Sequence, residues 1–255
     1  MKIRRIGRLF LQHLPYGEVM LKYLRWRLFT VYKTRLIATR SGIPYKRNVE
    51  TGLINTEERS EDGIWEYSDM IVTNQAIGDK WLTPDVHKVI NIGSGVATFE
   101  SLHAKVHPEV QFVASEMDQS STNWAKANRN YPNVNYCTES MEEILEKMGA
   151  SKYDLAITVD VIEHVADYKS FLDCFSQLAD RAVISTPNRD MDIVLARGPQ
   201  YKAHVQEFNA GELYFILKMY YSKVELYSAP NPLKSNLVPV GFYSTYEKLF
   251  AYCEK

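Results

Sequence analysis

The chain has 255 residues, of which 45% are hydrophobic, so it is large enough to build a sizeable hydrophobic core. Its formal net charge is −1. Twelve glycines and ten prolines are too few for a fibrous or low-complexity chain, and no run of about 18 apolar residues predicts a membrane-spanning helix. Three cysteines with no CxxC pair argue against a cysteine-based zinc site or a disulfide framework, and are typical of a cytoplasmic protein.

The beginning of the sequence is strongly basic. Residues 1–47 carry twelve lysines and arginines and a single acid, Glu18, so they hold a charge of +11 and the remainder holds −12. Apolar residues recur at helical spacing, which predicts one or two amphipathic helices interrupted near Pro15. We call residues 1–35 the basic arm. Packing on the body of the protein, a homodimer interface and peripheral contact with the inner face of a membrane all stay open, with nucleic acid as a weaker alternative.

The next segment is polar and turn-rich, and residues 65–70 within it predict a short helix. We predict a helical extension and cap over residues 1–80 and a separate domain over residues 81–255, in which short β-rich runs alternate with helical ones. Strands are predicted over residues 88–92, 110–115, 134–137, 153–159, 181–185, 223–228 and 246–253. Helices are predicted over residues 98–105, 120–128, 141–148, 168–178 and 210–219. This alternation predicts a doubly wound α/β fold with a mostly parallel, seven-stranded sheet.

The strand predicted first in this domain runs into the sequence NIGSGVA at residues 91–97. Glycines between a strand and a helix allow a tight turn and a close approach of the backbone to a ligand. Glu116 ends the next predicted strand, where a carboxylate can accept hydrogen bonds from both hydroxyls of a ribose. Thr98 stands where the dinucleotide pattern GxGxxG requires its last glycine, and the GK[ST] of a P-loop is absent from the sequence. The pattern therefore predicts a nucleotide-type cofactor, with NAD disfavoured.

Further segments follow in the same order as in one known superfamily. FVASEMD surrounds Glu116, NVNYCTESMEEI follows the third strand, YDLAITVDVIEHVADYKSFLDCF spans the fourth strand and its helix, and RAVISTPNRD and HVQEFNAGEL come after it. Together with NIGSGVA, they resemble the class I S-adenosylmethionine-dependent methyltransferases over residues 80–253. The resemblance is closest to the ubiquinone-pathway and glycan O-methyltransferase branch.

This resemblance implies S-adenosylmethionine as the cofactor. The cofactor-binding residues that it implies are Asn91, Gly93, Ser94, Gly95, Glu116, Met117, Ser140, Met141 and Asp160. Three residues depart from the family pattern. Asn91 replaces the acid that usually ends the first strand, Ala97 replaces the third glycine, which is a mild change, and Ser140 stands where an aspartate often meets the adenine amino group.

Two segments place titratable groups beyond the carboxyl ends of strands, where chemistry takes place in doubly wound sheets. Residues 160–164 follow the fourth strand, and residues 204–208 follow the fifth. We predict that His204, His164 and Glu163 are catalytic, with one histidine as general base and a carboxylate holding its tautomer. His204 is favoured because the loop after the fifth strand usually forms the acceptor wall. Purely structural roles for both histidines stay open.

Asp160, Glu163, His164 and His204 also resemble the metal-binding set of small-RNA 2′-O-methyltransferases. Because the same pattern is widespread in this superfamily without metal, we predict no metal. The leading hypothesis is methyl transfer from S-adenosylmethionine to a hydroxyl of a small-molecule, glycan or lipid-linked acceptor, in the cytoplasm or at the inner membrane face. A metal-assisted RNA 2′-O-methyltransferase and a catalytically inactive methyltransferase-like binding protein are the alternatives.

Overall fold

A computed structural model describes residues 46–48, 65–192, 204–229, 235–244, 246 and 248–255. The helices predicted for the basic arm lie outside these residues, so they stay predictions, as does the division of the chain at residue 80. Within the described part of the chain, no helix is both long and apolar enough to cross a membrane.

Two short strands precede the main sheet. They are β1 (Lys46–Asn48) and β2 (Trp65–Tyr67), and they pair antiparallel with Asn48 opposite Trp65. The prediction of a helix over residues 65–70 was wrong for its first half, since helix α1 begins only at Ser68. The reason is that β2 gains backbone hydrogen bonds from a distant strand, a contact that local helical spacing does not reveal.

The main sheet has eight strands. Their bounds are β3 (Lys88–Ile92), β4 (Gln111–Ser115), β5 (Val134–Cys137), β6 (Leu155–Val159), β7 (Arg181–Pro187), β8 (Lys223–Ser228), β9 (Val238–Pro239) and β10 (Lys248–Glu254). The order across the sheet is β5-β4-β3-β6-β7-β10-β8-β9. The five strands from β5 to β7 are parallel, whereas β10 runs antiparallel to both of its neighbours, and β9 runs antiparallel to β8. The predicted mostly parallel α/β sheet is thus confirmed, with β9 as an added two-residue edge.

The described helices cover both faces of this sheet. They are α1 (Ser68–Trp81), α2 (Thr98–His103), α3 (Gln119–Asn128), α4 (Met141–Met148), α5 (Tyr168–Leu178) and α6 (Ala210–Leu217). Polar side chains begin several of them: Asp118 caps α3, Ser140 caps α4 and Asn209 caps α6, each by accepting backbone N–H bonds. These caps fix where each loop ends and its helix starts, close to the positions that the sequence predicts.

The core forms two layers, one on each face of the central strands. Ile90 and Ile184 face the layer that contains α5 and α6, whereas Val89 and Phe250 face the layer that contains α1 and α2. All five residues of β6 are buried, as expected for a strand covered on both faces. This arrangement brings the carboxyl ends of β3, β4, β6 and β7 to one edge of the sheet, where the predicted site residues lie.

Candidate functional site

The turn after β3 has the backbone that its glycines allow. Gly93 and Gly95 have φ angles of 72° and 55°, in the left-handed region that glycine adopts without steric cost. A Cβ on Gly93 would lie 2.4 Å from Cγ2 of Val161, whereas a Cβ on Gly95 would meet no atom of the described residues within 4 Å. We call residues 93–97 the glycine turn. Its open side at Gly95 leaves room for a ligand to approach the backbone.

Ala97 ends the glycine turn in the same left-handed region, with φ at 57°. For a residue with a Cβ this conformation costs about 1–2 kcal/mol. The replacement of the third glycine by alanine, which the sequence suggests to be mild, therefore carries a backbone cost. The buried Ala97 side chain packs with Ala114 and Ala125, and this packing offsets part of that cost.

Glu116 is fixed in front of the glycine turn by two backbone donors. The Gly95 N–H donates to its Oε2 at 2.8 Å, and the Asp118 N–H donates to its Oε1 at 2.9 Å. The side chain is only half-buried, so each carboxylate oxygen keeps lone pairs for a ligand. Charge-assisted bonds of this kind are stronger than neutral ones, and they preorganise the carboxylate for the ribose hydroxyls predicted from the sequence.

The other predicted cofactor residues lie in different environments. Met117 is 80% exposed, and Met141 packs against the core layer of α5 and α6. Ser140 forms a capping box at α4: its Oγ accepts from the Glu143 N–H at 3.3 Å, and Glu143 accepts from the Ser140 N–H at 2.9 Å. The Ser140 side chain thus already serves the helix. Cofactor contact by these three residues stays a prediction.

Asn91, at the end of β3, is buried at 2% exposure and donates to the Glu100 carboxylate at 3.1 Å. Burial raises the pKa of Glu100 to about 7 because no water solvates its charged form. The sequence alone gives no reason to connect these two residues, since Glu100 lies inside a helix.

Asp160 follows β6 with a φ of 54°, again in the left-handed region. Its carboxylate accepts from the Ser185 hydroxyl at 2.9 Å and from the Lys248 ammonium, which also donates to Thr73 at 3.2 Å. Asp160 is thereby held toward β7 and β10. Lys248 comes from the last strand of the sheet, and no motif in the sequence points to it.

Glu163, His164 and His204 come together at the carboxyl edge of β6. One potential ligand atom from each lies within 4.8 Å of the other two, and the two imidazole centroids are 4.8 Å apart. We call these three residues the edge triad. Backbone bonds hold it together, because the Val205 and Gln206 N–H groups both donate to the Glu163 carbonyl. The structure thus places the three predicted catalytic residues in one group, to which Asp160 does not belong.

Glu163 is the buried member of the edge triad. Its side chain has no exposed surface, and Oε2 accepts from the Thr186 hydroxyl at 3.0 Å. Among the described residues, Oε1 has no hydrogen-bond partner. Burial, and next the negative charge of Asp160, raise the pKa of Glu163 to about 8. A carboxyl group in this state can hold a proton or face a cation.

His204 has a carboxylate partner, Glu207, that is not among the catalytic residues predicted from the sequence. Its Nδ1 lies 2.7 Å from Oε1 of Glu207, and the exposed fractions of the two side chains are only 10% and 2%. An ionised carboxylate can only accept, so Nδ1 donates, and neutral His204 then carries its lone pair on Nε2. The spacing His-x-x-Glu was the available signal, because it places both side chains in one loop.

Comparisons with known proteins give one family and a set of similar folds. The family described as a methyltransferase domain matches residues 66–220. No curated protein matches the chain. Among solved structures, the methyltransferase domain of bacterial CtHen1-C has a TM-score of 0.57 and 16% identity, and the match covers 73% of this chain and 98% of that chain.

Two more solved structures illustrate the range of the similar folds. The small RNA methyltransferase HEN1 has a TM-score of 0.58 and 15% identity, with 78% of this chain and 27% of that chain covered. The plantazolicin methyltransferase BpumL, solved in complex with SAH, has a TM-score of 0.53 and 10% identity. The match covers 73% of this chain and 82% of that chain. At such identities, these likenesses show the shared fold.

Proposed function

The chain belongs to the methyltransferase-domain family, and from that premise we propose that it transfers a methyl group from S-adenosylmethionine to a hydroxyl of a small-molecule, glycan or lipid-linked acceptor. The assignment of a hydroxyl acceptor is supported by the edge triad and by the hydrogen bond between His204 and Glu207. A hydroxyl attacks poorly unless its proton leaves as the new bond forms, and this group offers a place for that proton.

The residues at the glycine turn fit the cofactor. Gly95 leaves open space beside a backbone turn, and Glu116 presents a preorganised carboxylate to the same region. When bound, S-adenosylmethionine supplies an electrophilic methyl group on a sulfonium. The protein aligns the acceptor in line with that methyl group, which turns an encounter of two molecules into a reaction within one complex.

His204 acts as the general base in this proposal. Its Nδ1 donates to Glu207, so Nε2 holds the lone pair that accepts the proton of the acceptor hydroxyl. The hydroxyl oxygen forms its bond to the methyl carbon while the carbon–sulfur bond breaks, and the proton remains on Nε2. The Glu207 carboxylate stabilises the imidazolium that results, because the two groups are nearly buried and in hydrogen-bond contact.

The test is methyl incorporation from labelled S-adenosylmethionine into separate fractions of small metabolites, glycans, lipids and RNA. We expect a base-stable methyl ether in one of the first three fractions. His204→Ala should lower turnover about 10²–10⁴-fold, with S-adenosylhomocysteine affinity nearly unchanged. His87→Ala is the matched control, since His87 is exposed at the start of β3. If His204→Ala and His164→Ala both retain turnover within a few-fold, neither histidine is the base.

A second candidate is metal-assisted 2′-O-methylation of RNA. The group fits a divalent cation on one observation: Glu163 Oε1 is buried without a described partner and lies beside two imidazoles. Glu163, His164 and His204 would hold the ion, and it would supply Lewis-acid activation of a hydroxyl. Label in the RNA fraction that is lost on chelation and restored by Mg²⁺ or Mn²⁺ would favour this candidate. Chelation without effect would favour the histidine base.

The basic arm supplies a further proposal, which rests on its sequence alone. Its lysines and arginines and its apolar periodicity suit an anionic membrane surface. The full chain should bind phosphatidylglycerol-containing vesicles, and deletion of residues 1–35 should reduce that binding. If the intact protein does not bind such vesicles at moderate salt, the apolar face is better explained as packing or as a homodimer interface.

A further inference from the structure

The end of β3 carries an amide where the resemblance to methyltransferases implies a carboxylate, yet a carboxyl group lies directly against that amide. Asn91 Nδ2 donates to Oε1 of Glu100 at 3.1 Å. Glu100 is the third residue of α2, and its side chain has no exposed surface. An acid is therefore present beneath the glycine turn, but it comes from the helix after the turn instead of the strand before it.

We propose that Glu100 supplies the cofactor site with a buried negative charge in addition to that of Glu116, and that Asn91 is the positioning residue that holds the Glu100 carboxyl at the end of β3. This inference rests on S-adenosylmethionine being the cofactor. The cofactor carries a positive sulfonium and a positive ammonium, and a carboxylate in a medium of low polarity attracts such charges through several ångströms without direct contact.

The Asn91–Glu100 pair contains two buried polar atoms whose hydrogen bonding depends on whether Glu100 carries a proton. Two of its atoms, Asn91 Oδ1 and Glu100 Oε2, are buried and have no hydrogen-bond partner among the described residues. A proton on Oε2 turns that oxygen into a donor, and an amide oxygen is a suitable acceptor for it. The neutral acid can therefore donate from Oε2, whereas the carboxylate can only accept.

Polar or charged residues from three other elements lie around the Glu100 carboxyl group. Asn91 reaches it from β3, and the charge of Arg129, at the end of α3, favours its ionised form. Tyr136 lies on β5, and burial, and next the negative charge of Glu100, raise the pKa of its phenol. The Arg129 guanidinium is itself engaged, since it donates to the Val96 carbonyl at 2.7 Å. Burial outweighs the attraction of Arg129, since the pKa of Glu100 still lies at about 7.

The charge of Glu100 does not serve the stability of the fold. Its pKa rises from 4.5 to about 7 on folding. The contribution of Glu100 to the free energy of unfolding is therefore most favourable below about pH 4.5, where the group is neutral in both states. This contribution is lost as the pH rises through 7. A buried acid that weakens the fold at neutral pH is typical of a functional site. Binding of a cationic cofactor favours the carboxylate, so it should release a proton near neutral pH.

The test exchanges the two groups. Glu100→Gln keeps the shape of the neutral acid and removes the charge, and we expect it to lower the affinity for S-adenosylmethionine about tenfold at pH 7.5, as for a coupling of one pKa unit. The parent should bind more tightly as the pH rises from about 5.5 to 7.5, before the cofactor's own amino group titrates, and the variant should lose this dependence. Asn91→Asp combined with Glu100→Gln returns the carboxylate to the strand and should restore the affinity.

The controls separate charge from folding. Glu109→Gln removes an exposed acid and should leave the affinity unchanged. Thermal melts should show Glu100→Gln folded and at least as stable as the parent at pH 8. If that variant does not fold, calorimetry of the parent in two buffers still decides, because binding at pH 6.5 should release a proton. Unchanged affinity in a folded Glu100→Gln, failure of the exchanged pair to restore affinity, or absence of proton release overturns the inference. A parent that binds neither S-adenosylmethionine nor S-adenosylhomocysteine overturns the cofactor assignment instead.

Discussion

Replacing Glu116 by glutamine should weaken S-adenosylhomocysteine binding without removing the fold. Each carboxylate oxygen of Glu116 accepts from a different backbone N–H group, one from Gly95 and one from Asp118. A glutamine has one oxygen and one NH₂ group, so one backbone donor must face another donor. The charge-assisted bond lost there is worth about 1.5–3 kcal/mol, and the ribose loses an ionic acceptor as well.

We expect the affinity of the Glu116→Gln variant to fall by about 1–3 kcal/mol, which is roughly 5–150-fold, in isothermal calorimetry. Glu109→Gln serves as the control, because Glu109 lies before the amino end of β4 and Glu116 follows its carboxyl end. Urea unfolding of both variants separates a loss of stability from a loss of binding. Affinity within twofold of the parent would show that Glu116 does not hold the ribose. Tighter binding of NAD than of S-adenosylhomocysteine would refute the cofactor assignment as a whole.

Three further changes test the structure around the site. Lys248→Met should cost about 2 kcal/mol in urea unfolding, because it leaves the largely buried Asp160 carboxylate without its cation. Gly78→Ala should cost about 2 kcal/mol despite better helix propensity, since the new Cβ would lie 2.1 Å from the His103 imidazole. Asp118→Ala should cost about 1 kcal/mol at pH 7. Hydrogen bonds from two serines lower the pKa of Asp118 to about 2, so this cost should shrink as the pH falls from 4 toward 2.

Each of these changes has a matched control. Lys223→Met breaks exposed ion pairs with Glu225 and Glu254 and a cation–π contact with Tyr252, and it should cost no more than about 1 kcal/mol. Gly241→Ala adds a Cβ that meets no atom within 4 Å, so the midpoint of unfolding should hardly move. Asp118→Asn retains a capping side chain and should lose much less than the alanine variant. Equal effects of a variant and its control would contradict the packing or pairing assigned to that residue.

The parts of the fold that could be predicted are those whose cause is local in sequence. Strands β3 and β5 and helices α4 and α5 follow from apolar periodicity and from polar caps such as Ser140, so their bounds agree with the predictions. The proximity of His164 and His204 could also be predicted, because each follows one of two neighbouring parallel strands that end at the same edge of the sheet. Strand β2 could not be predicted, since its hydrogen bonds come from a segment about twenty residues earlier.

Two residues near the site could not be predicted from the sequence, because their roles depend on contacts between different elements of the fold. Glu100 and Lys248 acquire their roles only through a contact with another element of the fold. Glu100 contacts Asn91, which lies nine residues earlier on β3, and Lys248 contacts Asp160, which lies 88 residues earlier. A glutamate in a helix and a lysine at the start of a strand look like ordinary surface residues until the fold buries them. Periodicity reports which face of an element is buried, but it does not report which single polar group will be enclosed with it.

The position of β10 between β7 and β8 has a consequence for the order of folding. Both neighbours precede β10 in the chain, and they have no hydrogen-bonded partner at that position until β10 is inserted between them. During synthesis on the ribosome, β3 to β7 can pair with one another as they emerge, whereas β8 can join them only through β10, which comes later in the chain. Because β10 also carries Lys248, the ion pair that holds Asp160 forms in that same late step. A nascent chain that stops before residue 248 should therefore expose the apolar edge of β7 to chaperones or to another copy of itself.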